Sequence, residues 1–197
     1  AATPTSQPLA WIAAGSIVLA SLIALTKDNL KARLAYSTIS QLSYVTLAVM
    51  LGSPLAMLGG ALQIVMHAWA KITLFMSAGA IYTATKKTNI SQMRGLGRHM
   101  PWLFGAYTIG ALSIIGLPPL AGMWPKLFLM QGSFEAGQVV LATALIASSL
   151  LNIAYLLPLS ARGFFEPPEE AKLKKPAPML VILPPVITAA GVIILFF

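Results

Sequence analysis

Residues 59–85 read GGALQIVMHAWAKITLFMSAGAIYTAT, a continuous apolar run that holds two basic side chains near its centre. A helix that crosses a bilayer needs about 20 mostly apolar residues. The run lacks the alternation of apolar and polar residues that barrel strands show. It therefore predicts a transmembrane helix with His67 and Lys71 at bilayer depth.

The composition extends this prediction to the whole chain. Hydrophobic residues make up 57% of the 197 residues and charged residues 9%, against roughly 25% charged in ordinary soluble domains. Mean hydropathy is +0.81. The chain has no Cys, which rules out disulfides and thiolate metal sites. These values exclude a soluble enzyme domain and predict an all-α polytopic membrane protein.

Six segments satisfy the length criterion for a membrane span. We predict spans at 9–26, 34–51, 59–85, 101–130, 136–160 and 177–197, with a linker over 161–176. The fourth span is predicted to be a broken helix, because Gly116, Pro118, Pro119 and Gly122 interrupt it.

Basic residues lie almost entirely in the gaps after the first, third and fifth spans. Those gaps hold Lys27, Lys31, Arg33, Lys86, Lys87, Arg94, Arg98, Arg162, Lys172, Lys174 and Lys175. The other two gaps hold none, and basic loops face the cytoplasm in polytopic membrane proteins. We therefore expect a bacterial cell membrane protein with cytoplasmic basic loops and both termini outside. Basic charge in short gaps does not indicate nucleic-acid binding.

Three ionisable residues remain within the membrane: His67, Lys71 and Lys126. A Lys at the centre of a membrane helix costs about 2.5–3.5 kcal/mol on insertion scales, so such residues face protein or internal water. Lys71 lies roughly 18–21 Å from either end of its span, too deep to reach the interface. Gln63, His67 and Lys71 share one helix face. The pattern predicts a proton-carrying Lys with a His relay, although a packing role for His67 stays open.

The interrupted fourth span carries the second candidate site. Broken helices at membrane depth line cavities or are buried in protein, and transporters use them to present free backbone groups to ions. Lys126 follows the break by one turn, directly after Pro125. The alternative is an ordinary proline kink with Lys126 reaching the outer interface.

Weaker polar stripes give further pathway candidates. They are Ser37, Gln41 and Tyr44 on the second span, Ser148, Asn152 and Tyr155 on the fifth, and Lys31 in the first basic gap. Such residues are also ordinary contacts between membrane helices. No spacing indicates metal, haem or nucleotide binding, and we predict no cofactor.

Five collinear segments resemble the antiporter-like subunits shared by respiratory complex I and Mrp-type cation/proton antiporters. They are DNLKARLAYSTISQ (28–41), HAWAKITLF (67–75), GLGRHMP (95–101), GLPPLAG (116–122) with Lys126, and LLNIAYLLP (150–158). The last segment is most similar to the D subunit of Mrp antiporters. The resemblance covers essentially the whole chain, and Pro125 departs from the Gly or Ser more usual in the family.

The resemblance implies a fold of fourteen helices with two inverted five-helix repeats. This chain would supply the second repeat and the terminal helix, and another chain or segment the first eight helices. By the same resemblance Lys71 is the central proton carrier, His67 its relay and Lys126 the charge near the exit. We expect a proton to enter near the cytoplasmic loops, to reach Lys71 through His67, and to pass toward Lys126 through water between the two lysines.

We therefore expect a proton-translocating subunit of an Mrp D-like antiporter that exchanges protons for Na⁺ or K⁺. The alternative is a pump subunit of an NADH-quinone oxidoreductase or membrane hydrogenase, and a non-conducting scaffold is the alternative of another class. No catalytic chemistry is evident in the chain itself. Expected partners are the other subunits of such an assembly and the lipid bilayer, not nucleic acid.

Overall fold

The structure, a computed structural model, describes residues 6–167 and 178–197 and is built from helices. They are α1 (Ser6–Thr26), α2 (Leu30–Leu51), α3 (Pro54–Thr85), α4 (Leu96–His99), α5 (Pro101–Ile115), α6 (Met123–Glu135), α7 (Val139–Phe165) and α8 (Met179–Ile194), with a 3₁₀ turn at Ile90–Gln92. The predicted all-α fold is confirmed.

Helices α1, α2, α3 and α7 are long and apolar enough to cross a membrane, whereas α5 and α8 are shorter apolar helices. The predicted fourth span consists of α5 and α6, and residues 116–122 separate them. Many apolar side chains on the outer faces are exposed, such as Leu19 and Leu150. An apolar outer surface is what a chain surrounded by lipid requires, and this is an integral membrane protein.

Several helix ends differ from the sequence-based boundaries. Helix α2 begins at Leu30 rather than at 34, and α6 ends at Glu135 rather than at 130, so the predicted gap at 131–135 is helical. Helix α3 begins at Pro54 rather than at 59, because the Ser53 hydroxyl accepts a hydrogen bond from the Ala56 amide at 3.1 Å and Pro54 suits the first helical position. Helix α7 continues to Phe165, so the first residues of the predicted linker are helical. Residues 168–176 of that linker lie outside the described residues.

Helix α3 lies at the centre of the bundle, where it packs against α2, α5, α6 and α8. Helix α1 packs against α2 and α7 on the other side of the bundle. Because four other helices surround α3, polar groups on its inner face are shielded from the bilayer.

The connections after α1, α3 and α7 meet at one end of the bundle, which we call the basic end. Asn29 and Asn89 form an antiparallel bridge there, and the Gly95 amide donates to the Arg162 carbonyl at 3.0 Å. At the opposite end the Ser53 hydroxyl donates to the Gly132 carbonyl at 3.0 Å. The described basic loops therefore share one side of the bundle, while Lys172, Lys174 and Lys175 lie outside the described residues.

Candidate functional site

Lys71 points into the bundle from the middle of α3. Only 6% of the residue is exposed, and its ammonium donates to Ser37 Oγ at 2.8 Å and to the Leu34 carbonyl at 3.1 Å. Both acceptors belong to α2. The side chain is thus held inside protein rather than in lipid, as the cost of burying an ammonium requires.

Lys126 lies in the first turn of α6, just after the helix break, and turns back toward α5 and α7. Its ammonium donates to the Ile115 carbonyl and to Ser149 Oγ, each at 2.9 Å, and lies 5.5 Å from the centre of the Tyr44 ring. The Ile115 carbonyl is accessible because α5 ends there and Gly116 adopts a φ of 94°. The break therefore supplies a free backbone acceptor to the second Lys.

A second glycine allows the two halves of the broken helix to approach. The Gly122 amide donates to Ser113 Oγ at 3.1 Å, and a Cβ at Gly122 would lie 1.9 Å from the Ser113 carbonyl oxygen. Only a glycine at position 122 allows the backbones of the two halves to come this close.

Three side chains connect the two lysines. Tyr155 donates to Ser37 Oγ at 2.9 Å and also contacts the Asn152 amide. The surrounding donors favour the orientation in which the Asn152 oxygen accepts from Lys126 Nζ at 3.1 Å. A continuous polar chain, Lys71–Ser37–Tyr155–Asn152–Lys126, therefore runs through the bundle, and we call it the polar chain below.

Two glutamines join the polar chain from the side. In the same orientation the Asn152 oxygen also accepts from Gln41 Nε2 at 3.0 Å, and Gln63 Nε2 donates to Gln41 Oε1 at 3.0 Å. Two residues from each of the predicted stripes on the second, third and fifth spans thus meet in one buried network.

His67 is buried, and neither ring nitrogen has a hydrogen-bonding partner among the described residues. It lines a cavity of about 10 Å³ together with Gln41, Gln63, Ser113 and Lys126. A volume of this size holds about one water molecule. Helix α3 runs from the opposite end toward the basic end, so His67 lies farther from the basic end than Lys71 does.

Three other candidates are not members of the polar chain. Ser148 forms a buried hydroxyl cluster with Ser21 and Ser40, at 3.0 and 3.3 Å. The Tyr44 hydroxyl donates to the Leu145 carbonyl at 3.4 Å, while its ring faces Lys126. Lys31 lies over the Tyr82 ring at 5.3 Å, at the basic end, and the structure does not bring it to the buried lysines.

Sequence reasoning missed Ser149 and Ser113, since single serines in an apolar helix carry no distinctive signal. It also placed Arg33 in a solvated gap. Arg33 is 8% exposed and donates from Nη1 to the Tyr155 carbonyl at 2.9 Å and from Nε to the Lys27 carbonyl at 2.6 Å. The reason is that α2 begins at Leu30, which turns Arg33 into the bundle.

The fold and the site define a class: a polytopic helical membrane protein with a broken helix and two lysines buried in a shared polar interior. The family model described as "NADH:quinone oxidoreductase/Mrp antiporter, TM" matches residues 2–152. The chain belongs to this family.

Known proteins of both branches resemble the chain. NADH-quinone oxidoreductase subunit N of Desulforudis audaxviator is 32% identical over 98% of this chain and 41% of that protein. A chain of the Mrp complex from Dietzia sp. DQ12-45-1b superimposes with a TM-score of 0.88 at 20% identity, over 98% of this chain and 45% of that one. A chain of Thermus thermophilus respiratory complex I gives 0.77 at 28% identity, over 99% and 44%.

The chain thus spans less than half the length of these proteins. The family and the fold agree with the resemblance drawn from the sequence. The two branches are not separated, and the relative in the NADH-quinone oxidoreductase branch carries the higher identity.

Proposed function

We propose that this chain carries protons through part of a membrane-embedded pathway. The observation that supports the proposal is a pair of ammonium groups inside the bundle, Lys71 on α3 and Lys126 on α6, which the polar chain holds in one buried network. Two ammonium groups at membrane depth are costly, and such groups mark ion pathways. Here each contacts several neutral acceptors, an arrangement that accommodates both the charged and the neutral form.

The geometry supports a modified order of transfer. A proton that enters at the basic end meets Lys71 before His67, because Lys71 is closer to that end of α3. From Lys71 the proton passes to His67, which lies one turn away on the same helix, and then through the cavity that His67 shares with Lys126. The imidazole is the group suited to relaying it. This order places His67 after Lys71, whereas the sequence led us to expect it before.

The polar chain has a different role in this proposal. An amide does not readily release a proton, so Asn152 interrupts proton transfer along the chain. We assign Ser37, Tyr155 and Asn152 to positioning the two lysines and to making the charge of one lysine felt by the other. Two sites coupled in this way titrate as a pair.

Replacement of Lys71 tests the proposal. Lys71→Ala should abolish proton transport by the assembled complex in vesicles, followed with an internal pH dye, while the complex stays intact. Lys27→Ala is the control, because Lys27 lies at the basic end against the Tyr36 ring. Unchanged transport in Lys71→Ala would contradict the proposal, and unchanged transport in Lys71→Met would favour the scaffold alternative.

Two energy sources for transport are candidates: a proton gradient in an antiporter and redox chemistry in a pump. The segment 150–158 favours an Mrp D-like subunit, in which proton influx drives Na⁺ or K⁺ export. The 32% identity to a subunit of an NADH-quinone oxidoreductase favours a redox-driven pump. Iron–sulfur clusters in the purified native complex would support the pump. Their absence, together with Na⁺- or K⁺-dependent proton movement, would support the antiporter.

We further propose that the basic end is cytoplasmic and that other helices, in the same or another polypeptide, complete the pathway. Clustered basic loops support the first statement, and the share of its relatives that the chain spans supports the second. Since the chain has no Cys, single Arg94→Cys and Glu135→Cys variants provide a clean labelling test in intact cells. A membrane-impermeant maleimide should label the second variant only.

A further inference from the structure

A second, larger cavity is lined by Lys126 but not by His67. Its volume is about 310 Å³, at the lower end of the roughly 300–1,000 Å³ typical of small-molecule sites. Its walls are mainly apolar and include Ile115, Leu117, Leu127, Leu145, Ile146 and Leu150. Neither the water-sized cavity nor the proposed transfer between the lysines uses this space.

The polar groups of the cavity converge at one place. Lys126 lines it beside Ser149, and Tyr44 lies on the same wall. Lys126 contacts only neutral acceptors among the described residues, namely the Ile115 carbonyl, Ser149 and Asn152. No described carboxylate lines the cavity. The site therefore combines an ammonium with apolar walls.

The cavity opens at apolar side chains on the outer surface of the described bundle. Ile146, Leu150 and Ile153 line it and are 44%, 62% and 39% exposed. All three lie in the middle of α7, which runs from Val139 to Phe165. A ligand would therefore enter sideways from the membrane.

We propose that this cavity binds a long-chain fatty acid, with the carboxylate at Lys126 and the acyl chain along the apolar wall. The Lys126 ammonium favours a carboxylate headgroup because the two charges are complementary. The apolar lining and the lateral opening favour a long acyl chain. A carboxylate side chain from a neighbouring helix would occupy only part of this volume. Binding fixes the charge of Lys126, so on the proposed function the fatty acid inhibits proton transport.

Photolabelling tests the binding site directly. The probe is a diazirine derivative of palmitic acid, added to the intact assembly in nanodiscs, with labelled peptides read by mass spectrometry. We expect adducts on the cavity segments of α6 and α7 that palmitate displaces and methyl palmitate does not. Labelling displaced equally by the ester, spread evenly over the outer surface, or blocked by a partner subunit would overturn the proposal.

A bulky substitution at the opening provides the matched variant. Leu150→Trp should fill the entrance and weaken palmitate binding about tenfold, equivalent to about 1.4 kcal/mol. Leu22→Trp is the control, because Leu22 is 45% exposed on α1 and does not line the cavity. Neither residue belongs to the polar chain, so both variants should transport protons normally without fatty acid. Equal displaceable labelling of the two variants would contradict the proposal.

Inhibition gives a second readout. Palmitate, but not its methyl ester, should slow proton transport by the wild-type complex and by Leu22→Trp, with little effect on Leu150→Trp. Protein-free vesicles measure any leak caused by palmitate itself. Site-specific labelling combined with normal transport in Lys71→Ala would reject the proposed function but support the fatty-acid site. Absence of such labelling, with transport lost in Lys71→Ala, would reject only the site.

Discussion

Lys71 and Tyr155 donate hydrogen bonds to the same atom, Ser37 Oγ, at 2.8 and 2.9 Å. The two donors come from α3 and α7, and the acceptor from α2. One hydroxyl therefore fixes an ammonium and a phenol relative to each other across three helices. Because neither donor has access to bulk water, the loss of this oxygen affects both.

Ser37→Ala should lower both stability and transport. The substitution leaves the Tyr155 hydroxyl with one fewer partner, and the Leu34 carbonyl is then the one acceptor that Lys71 retains among the described residues. An unsatisfied buried polar group costs roughly 1–3 kcal/mol, and more when charged. The measurements are thermal unfolding of the complex and proton transport in vesicles.

Ser43→Ala is the matched control for this prediction. Ser43 also lies on α2, but its hydroxyl donates only to the Ile39 carbonyl of its own helix at 2.9 Å. It should behave like the wild-type protein. If the two alanine variants behaved alike, Ser37 would have no special role in holding Lys71.

Asn152→Leu should separate the two lysines electrostatically. Leucine keeps a similar size but removes the oxygen that accepts from Lys126 and Gln41. The loss leaves one buried cation less well solvated, again at a cost of roughly 1–3 kcal/mol or more. We expect slower transport and a pH profile displaced from that of the wild type. An unchanged transport rate together with an unchanged pH profile would contradict the role of Asn152 in coupling the two lysines.

Much of the architecture could be predicted from the sequence because the bilayer imposes a simple rule on length and polarity. Lys71 and Lys126 were identified for the same reason, since charge inside an apolar run is conspicuous. The break at Gly116–Gly122 followed from proline and glycine chemistry. In each case the signal was local in the sequence.

The connections within the site could not be predicted in the same way. Asn152 lies against Lys126, and Tyr155 lies against Ser37. These contacts depend on the rotation of α7 about its axis and on its position along α2 and α6. Helical spacing gave the face of each helix but not which faces meet. His67 shows the consequence: its spacing indicated a partner for Lys71, whereas the structure places it at the cavity beside Lys126.

Asp28 predicts a pH dependence at the basic end. Its carboxylate accepts from the Ser91 hydroxyl at 2.6 Å and the Ser91 amide at 3.0 Å, and the hydroxyl bond above all holds the pKa of Asp28 below its ordinary value of 3.8. The charged form of Asp28 thus stabilises the contact between the α1–α2 loop and the 3₁₀ turn. That contribution is complete above the ordinary pKa and is lost as the pH falls through the lower folded value.

Hydrogen exchange of the segment around Ser91 measures this effect. In the wild type its protection should decrease as the pH falls below about 3.8, after correction for the intrinsic exchange rate. Asp28→Asn should show weaker protection at neutral pH and no such acid-dependent change. The same acid response in both proteins would mean that another group is responsible.

Gly122→Ala should disrupt the broken helix. Its Cβ would lie 1.9 Å from the Ser113 carbonyl oxygen, a backbone atom that cannot move aside without shifting α5. Overpacking of this kind costs typically about 1–3 kcal/mol, occasionally more. A shift of α5 away from α6 also moves the Ile115 carbonyl and Ser113 from the positions they hold beside Lys126 and Gly122. We therefore expect a lower unfolding temperature and reduced transport together.

Gly105→Ala is the control that separates the effect of the clash at residue 122 from the effect of adding a methyl group to a helix. Gly105 lies within α5 and a Cβ there meets nothing within 4 Å, so alanine should be neutral or stabilise the helix by about 0.5–1 kcal/mol. Transport by this variant should be unchanged. If Gly122→Ala were as stable and as active as Gly105→Ala, the close approach of residues 113 and 122 would not be needed for the site.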